Sequence, residues 1–292
     1  MAGAGLYEAK RRGKNQYVLF TEAMRNRSIH SHQEELALTK AIESKQLVLY
    51  FQPQLDLDHH TIVGAEALVR WNHPNKGVVY PDQFIPLAEQ SGLILDLGRD
   101  VIEQSFAYQA RRHQLGLFSI KLHINLSAVQ LSDSELVPFV EQMMRRYGIP
   151  GHLIGFELTE TTLLTDLKLA QTTLQQLKDL GISIAVDDFG TGFSSLGQLK
   201  NLPVDLLKID RSFVQEMEID KDDKMMVEAI IAMAHKLDIM VVAEGVEKSD
   251  HLTLLAQLDC DMAQGYYIAR PIPEADFNEF SEHFTLATSC NK

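Results

Sequence analysis

The sequence predicts an α/β chain folded as a (β/α)8 TIM-like barrel whose first strand runs antiparallel to the rest. Three observations carry that expectation. Apolar strand-like runs recur eight times from Leu47 onward, and amphipathic segments with apolar residues at three- and four-residue spacing lie between most of them. The first two runs are joined only by Asp58-His59-His60-Thr61, a hairpin length too short for a crossover helix. An open, doubly wound sheet is the alternative, because strand count alone does not show closure.

In order, the first 20 residues give a basic helix-like stretch, a Gly13-Lys14-Asn15 turn and a short apolar strand, too little to bury a core. A helix is expected from about Ser31 to Ser44. The strands then read LVLYFQPQL, IVGAEALVRW, SIKLHINLS, LIGFELTE, SIAVDDF, DLLKID, IMVVAEGVE and QGYYIARPI. Helical patterns cover Pro81 to Leu115, Ser134 to Tyr147, Lys168 to Leu180 and Asp222 to Leu237. The chain divides into residues 1–30 ahead of the barrel, the barrel at 31–285, and a tail at 286–292.

Composition narrows the function. A formal net charge of -13 in 292 residues argues against a DNA- or RNA-polymer binder, whose affinity comes from clustered Lys and Arg on phosphates. A small phosphorylated ligand remains compatible, because bound metal ions can supply the positive charge in an acidic site. Two cysteines, Cys260 and Cys290, make neither a disulfide framework nor a cysteine zinc site. With no apolar run of spanning length, the expectation is a cytoplasmic chain, or the cytoplasmic part of a membrane-anchored protein.

Barrel enzymes work at the C-terminal ends of their strands. The polar residues that end the apolar runs are Glu66 and Arg70, Asn125, Glu157 and Glu160, Asp187 and Asp188, Lys208 and Asp210, Glu244 and Glu247, and Gln264. One such carboxylate alone would be an ordinary solvated loop edge. Several at one mouth repel each other and raise their own pKa values unless a cation sits among them. Carboxylates and an amide suit Mg²⁺ or Mn²⁺ rather than zinc. Asp187 and Asp188, adjacent in sequence, reach a common region only where a strand is ending; the competing reading is a helix N-cap pair.

Lys208 interrupts an apolar strand. It is either salt-bridged to Asp210 or another carboxylate, or a cation that orients or deprotonates an attacking water. The Gly- and Ser-rich segment from Phe189 to Leu199 matches neither phosphate-binding glycine fingerprint and reads better as a loop coupling the site to an interface. The scattered histidines form no ligand pair. His59 and His60 read as a solvated turn, and His123 as a hydrogen-bonded core residue.

Taken in order, Glu66-Ala67-Leu68 with Arg70-Trp71, Asn125-Leu126-Ser127, Glu157-Leu158-Thr159-Glu160, Asp187-Asp188-Phe189-Gly190, Lys208-Ile209-Asp210, Ala243-Glu244-Gly245-Val246-Glu247 and Gln264-Gly265-Tyr266 resemble the EAL-domain phosphodiesterases over residues 32 to 284. The resemblance implies hydrolysis of cyclic di-GMP to linear pGpG by two-metal activation of water. Glu66, Asn125, Glu157 and Asp187 would then be ligands of one ion, and Asp187 and Asp188 of a second. Lys208 would position the water, with Glu66, Glu244 and Glu160 also catalytic. Gln52, Arg70, Asp210 and Gln264 would be substrate contacts.

In that family the loop at 189–199 links catalysis to a homodimer, with Glu160 as its anchor. Residues 4–15 are similar to the end of a GGDEF-type domain, which implies upstream regulatory domains in a longer protein. A catalytically silent c-di-GMP receptor is the alternative, as is a barrel proton abstractor. The first usually lacks part of the acidic set, and the second leaves the paired aspartates unexplained.

Overall fold

The computed structural model describes residues 22–165, 167–192, 199 and 201–284, with side chains from residue 31 onward and not at 164–169. The basic N-terminal stretch, most of the Gly/Ser loop and the tail at 286–292 lie outside the described residues.

Helix α1 (Glu22–Glu43) precedes a hairpin of β1 (Leu47–Asp56) and β2 (Ile62–His73). The hairpin register runs from Leu47 opposite Trp71 to Leu55 opposite Ile62, so β1 is antiparallel, as its short connector requires. A short β3 (Gly77–Val79) extends β2. Helices α2 (Pro81–Ser91) and α3 (Ile94–Gln114) then lead to β4 (Lys121–Asn125), which lies parallel to β2.

The chain continues through α4 (Ala128–Leu131), α5 (Leu136–Tyr147), β5 (Ile154–Thr159), α6 (Glu160–Thr165), α7 (Leu167–Asp179), β6 (Ser183–Phe189) and β7 (Leu206–Ile209). Next come α8 (Arg211–Glu216), α9 (Lys221–Lys236), β8 (Met240–Ala243), α10 (Ser249–Gln257), β9 (Met262–Ala263), β10 (Ile272–Pro273) and α11 (Glu274–His283).

The sheet order is β10-β1-β9-β8-β7-β6-β5-β4-β2-β3, and the further pairing of β1 with β2 closes it. With the short additions β3 and β10 set aside, eight strands form the ring. No helix among the described residues is long and apolar enough to cross a membrane.

Three expectations shift. The pattern over Pro81 to Leu115 is two helices, broken at Gly92, which has left-handed backbone (φ 81°). Helix α1 begins before Ser31, in a polar stretch without apolar periodicity to announce it. The eighth barrel strand is Met262–Ala263 rather than the QGYYIARPI run. That run turns instead, with Ile268 and Ala269 N–H groups on the Gly265 carbonyl and Tyr266 and Tyr267 exposed, and only Ile272–Pro273 rejoins the sheet.

Strand side chains alternate, so the outer faces pack against the helices while the inner faces fill the barrel. Phe51 illustrates the outer layer, stacked on Tyr108 of α3 with ring centroids 4.1 Å apart and beside Phe277 of α11. Inside, Ala185, Leu206, Val242 and Met262 form a small separate apolar floor. Two residues further along the same strands stand Asp187, Lys208, Glu244 and Gln264. The strand period thus lifts every one of these polar groups one layer above the floor.

Candidate functional site

The centre of the upper layer is Lys208, 1% exposed. Its Nζ lies 2.6 Å from Glu157 Oε2, 2.7 Å from Glu244 Oε1, 3.2 Å from Asp187 Oδ1 and 3.3 Å from Glu66 Oε2. Four strands each place one carboxylate around a single ammonium. Asn125 Nδ2 donates to the other Glu66 oxygen at 2.7 Å, and Gln264 Nε2 donates to Glu66 Oε2 at 2.6 Å. Gln264 also donates to Gln52 Oε1 and accepts from Gln54 Nε2.

The electrostatics follow from burial and crowding. Burial alone would protonate Glu66, yet Lys208, Asn125 and Gln264 together hold it below the ordinary carboxylate value. Glu157 is pushed well above that value by burial, aided by Glu66 and Asp187 and opposed by Lys208. Burial, then Asp187 and Glu66, take Glu244 up to about 8 against the pull of Lys208. Burial and Asp187 also raise Asp188. Burial opposes the charge on Lys208, but Asp187, Glu157, Glu244 and Glu66 overcome it and raise the ammonium well above a free lysine. Lys208 is therefore a charged hydrogen-bond donor in this arrangement, not a base.

The donor set fits a hard divalent cation on two grounds. The buried Glu157 Oε1 has no hydrogen-bond partner, a cost of about 1–3 kcal/mol that a cation would remove. Asp187, Asp188 and Glu244 can present one oxygen each, all within 4.8 Å of one another. The strand geometry explains the second point. The β6–β7 register shifts between Val186 and Phe189, and Asp188 takes left-handed backbone at φ 54°, rare for a non-glycine residue. Both adjacent aspartates thereby come within reach of the mouth, as the end of a strand permits.

Other residues singled out in the sequence lie apart from this cluster. Glu160, 3% exposed at the start of α6, accepts the Gly190 N–H at 3.3 Å, the beginning of the Gly/Ser loop; positions 193–198 of that loop are outside the described residues. Asp210 caps α8, accepting from the Ser212 N–H at 3.0 Å and from its hydroxyl. Arg70 is buried between the rings of Tyr50 and Tyr80, 5.6 and 5.0 Å from its guanidinium carbon, and donates to its own neighbour's carbonyl at Val69. It does not line the cavity beside Glu66, although Glu66 acts on its charge. Glu247 stands at the cavity rim, where its Oε1 accepts from Gln215 Nε2.

Sequence reasoning missed Gln54 and underused His123. Gln54 stands two residues from Gln52, so strand alternation alone puts both on the inner face. His123 is buried 3.2 Å from the free Glu157 oxygen, and burial, then Lys121 and Lys208, drop it to about 3. Gly155 makes the room for it, since a Cβ there would meet His123 Nδ1 at 2.9 Å.

A cavity of about 200 Å³ opens over this layer, walled by Glu66, Asp187, Glu244 and Gln264 together with Arg211 and Tyr266. A second cleft, about 430 Å³ and largely apolar, lies beyond Asn125 between Leu68, Pro81, Ile85 and Leu97.

Residues 35–271 match the family described as the EAL domain. The chain belongs to that family. Relatives of this EAL domain include the bifunctional diguanylate cyclase/cyclic di-GMP phosphodiesterase MucR of Pseudomonas aeruginosa, 39% identical over 93% of this chain and 40% of MucR. Cyclic di-GMP phosphodiesterase NbdA of the same organism is 37% identical over 96% of this chain and 36% of NbdA. The chain therefore spans between a third and a half of the length of these relatives. Among solved structures, the PaMucR phosphodiesterase in complex with c-di-GMP covers 84% of this chain at TM-score 0.80 and 38% identity, with 99% of that chain matched. The FimX EAL domain from P. aeruginosa bound to c-di-GMP covers 81% of this chain at TM-score 0.76 and 28% identity, with 95% of that chain matched.

Proposed function

We propose that this EAL domain hydrolyses cyclic di-GMP to linear pGpG with Mg²⁺ or Mn²⁺, two ions per site. The observation that supports this best is the buried ring of Glu66, Glu157, Asp187 and Glu244 around Lys208, with one Glu157 oxygen left free. Glu66, Asn125, Glu157 and Asp187 would hold one ion, and Asp187 and Asp188 the other. Bound divalent cations supply charge neutralisation at the phosphate and acidify water.

The chain's own residues do the rest. Water oxygen bonds phosphorus, the bond from phosphorus to one ribose 3′ oxygen breaks, that oxygen ends with a proton the water has lost, and a 5′-phosphate remains. Lys208 orients the water by donating a hydrogen bond to it. Gln264, fixed by Gln52 and Gln54, holds Glu66 in place. The apolar cleft beyond Asn125 suits one guanine ring, and the low dielectric of the buried layer strengthens every charge in it. The domain acts as a homodimer through the loop at 189–199, in a cytoplasmic protein with regulatory domains ahead of residue 31.

The test is incubation with c-di-GMP and Mg²⁺ or Mn²⁺, followed by chromatography. The expected outcome is pGpG, abolished by Glu66→Ala and by chelation. Binding without turnover by dimeric, metal-loaded protein would instead make it a receptor.

A further inference from the structure

We infer that Arg211 is a substrate-binding residue that holds the phosphate of the dinucleotide not undergoing hydrolysis. The inference rests on the cyclic-dinucleotide reading above and adds a contact that its residue set lacks. A cyclic dinucleotide carries two phosphodiesters, and only one can sit on the carboxylate cluster. The other brings a negative charge into a cavity whose wall holds Glu66, Asp187, Glu244 and Glu247. Such a charge needs a cation.

Two of the cations nearby are already committed. Lys208 is enclosed by its four carboxylates, and Arg70 is held between Tyr50 and Tyr80 without contributing to the cavity wall. Arg211 does line the cavity, is exposed, and makes no ion pair within 4.0 Å with any described residue, although carboxylates stand on the same wall. Its guanidinium is available.

Its position is also fixed. Arg211 follows the strand-end pair Lys208-Ile209 by two residues, and its neighbour Asp210 caps α8 through Ser212. Gly245, in left-handed backbone at φ 72°, passes so close that a Cβ there would lie 2.4 Å from Arg211 Cβ. The loop that carries Glu244 is thus laid directly on the stem of Arg211. One helical turn on, Gln215 faces the same cavity and binds the Glu247 carboxylate, drawing that acid aside. A planar guanidinium on a fixed stem can grip two phosphate oxygens at once.

A phosphate that does not react is bound alike in the ground state and the transition state, so its loss appears in KM rather than kcat. The experiment is steady-state hydrolysis of c-di-GMP by metal-loaded protein, comparing the unaltered chain with Arg211→Ala and Arg211→Lys at low and high ionic strength. Alanine keeps the Cβ that packs on Gly245. The expected result is KM raised about tenfold with kcat within about twofold, partial recovery by lysine, and a gap that narrows as salt screens the contact. Unchanged KM in Arg211→Ala, or a fall in kcat alone, would overturn the inference while leaving the hydrolytic reading intact. If the unaltered protein neither binds nor hydrolyses c-di-GMP, the reading beneath the inference fails and takes it down as well.

Discussion

Replacing Lys208 by methionine tests the electrostatic logic of the barrel centre without reference to substrate. The change keeps the length of the stem and removes the ammonium that touches Glu66, Glu157, Asp187 and Glu244. Removing one partner from a buried charge network costs about 3–5 kcal/mol, because the remaining charges lose their counterion. Unfolding entropy near 2.1 cal/mol/K per residue over 292 residues means each kcal/mol lowers Tm by about 1.6 °C, so metal-free protein at neutral pH should melt about 5–8 °C lower.

The pH dependence has a definite sign. Glu244 already sits at about 8 and Glu157 well above the ordinary value even with the ammonium present. Without it, Glu157 and Glu244 lose the charge that opposed their rise and Glu66 loses one that held it down, so the folded state binds more protons than the unfolded chain and gains stability as pH falls from about 8 towards 4.5. The deficit of the variant should therefore shrink on acidification. Saturating Mg²⁺ or Mn²⁺ should restore more of its Tm than it adds to the unaltered protein, since the ions then take the place of the missing ammonium. Scanning calorimetry in chelator at pH 7.5 and 5.5, then with metal, reads all three effects. Equal melting temperatures in chelator, or a deficit that grows on acidification, would refute the reasoning.

Metal binding itself should release protons. Glu244 is held up to about 8 in the metal-free state and Glu157 is raised in the same direction, so affinity should rise between pH 6 and 9, and calorimetric heats should vary with buffer ionisation enthalpy. His123 gives a separate acid lability. Its folded pKa of about 3 against roughly 6.5 unfolded means its contribution is present above the unfolded value and is lost as pH falls through that window. The loss is about 2 kcal/mol by pH 5, and urea titrations of metal-free protein should show a shallower decline for His123→Gln. Arg112, 2% exposed, ties α3 to α11 through Asn278 at 2.8 Å, Ser281 at 3.2 Å and the Phe118 carbonyl at 2.9 Å. Arg112→Ala should cost about 3 kcal/mol and speed amide exchange in α11 before the strands, which hydrogen-exchange mass spectrometry resolves by segment.

The barrel was legible because it rests on local rules. Alternation of apolar runs with amphipathic segments, and a connector too short for a helix, are properties of neighbouring residues. The eighth strand escaped because two residues form no pattern, while the adjacent QGYYIARPI run looks apolar yet leaves both tyrosines in solvent. Strand ends likewise marked Asn125, Glu157, Asp187, Lys208 and Glu244 as one layer, whereas Glu66 lies within β2 and Gln264 follows Met262–Ala263 rather than closing the QGYYIARPI run. What no spacing rule conveys is direction. Arg70 turns to two rings that lie 20 residues before it and 10 after, Asp210 turns back to its own helix, and Arg211 gave no signal because one arginine after a strand is ordinary until the rest of the wall is known.

The reversed first strand has a mechanical consequence. In a barrel whose strands all point one way, the polypeptide enters at the face remote from the chemistry. Here Leu47 lies opposite Trp71, near the exit of β2, so the entrance and the mouth coincide. Gln46 grips that exit twice, accepting from the Trp71 indole at 3.2 Å and from the Asn72 N–H at 2.9 Å. A displacement of α1 therefore acts on the residues next to Arg70 through a three-residue lever, Ser44 to Gln46, with no thickness of barrel in between.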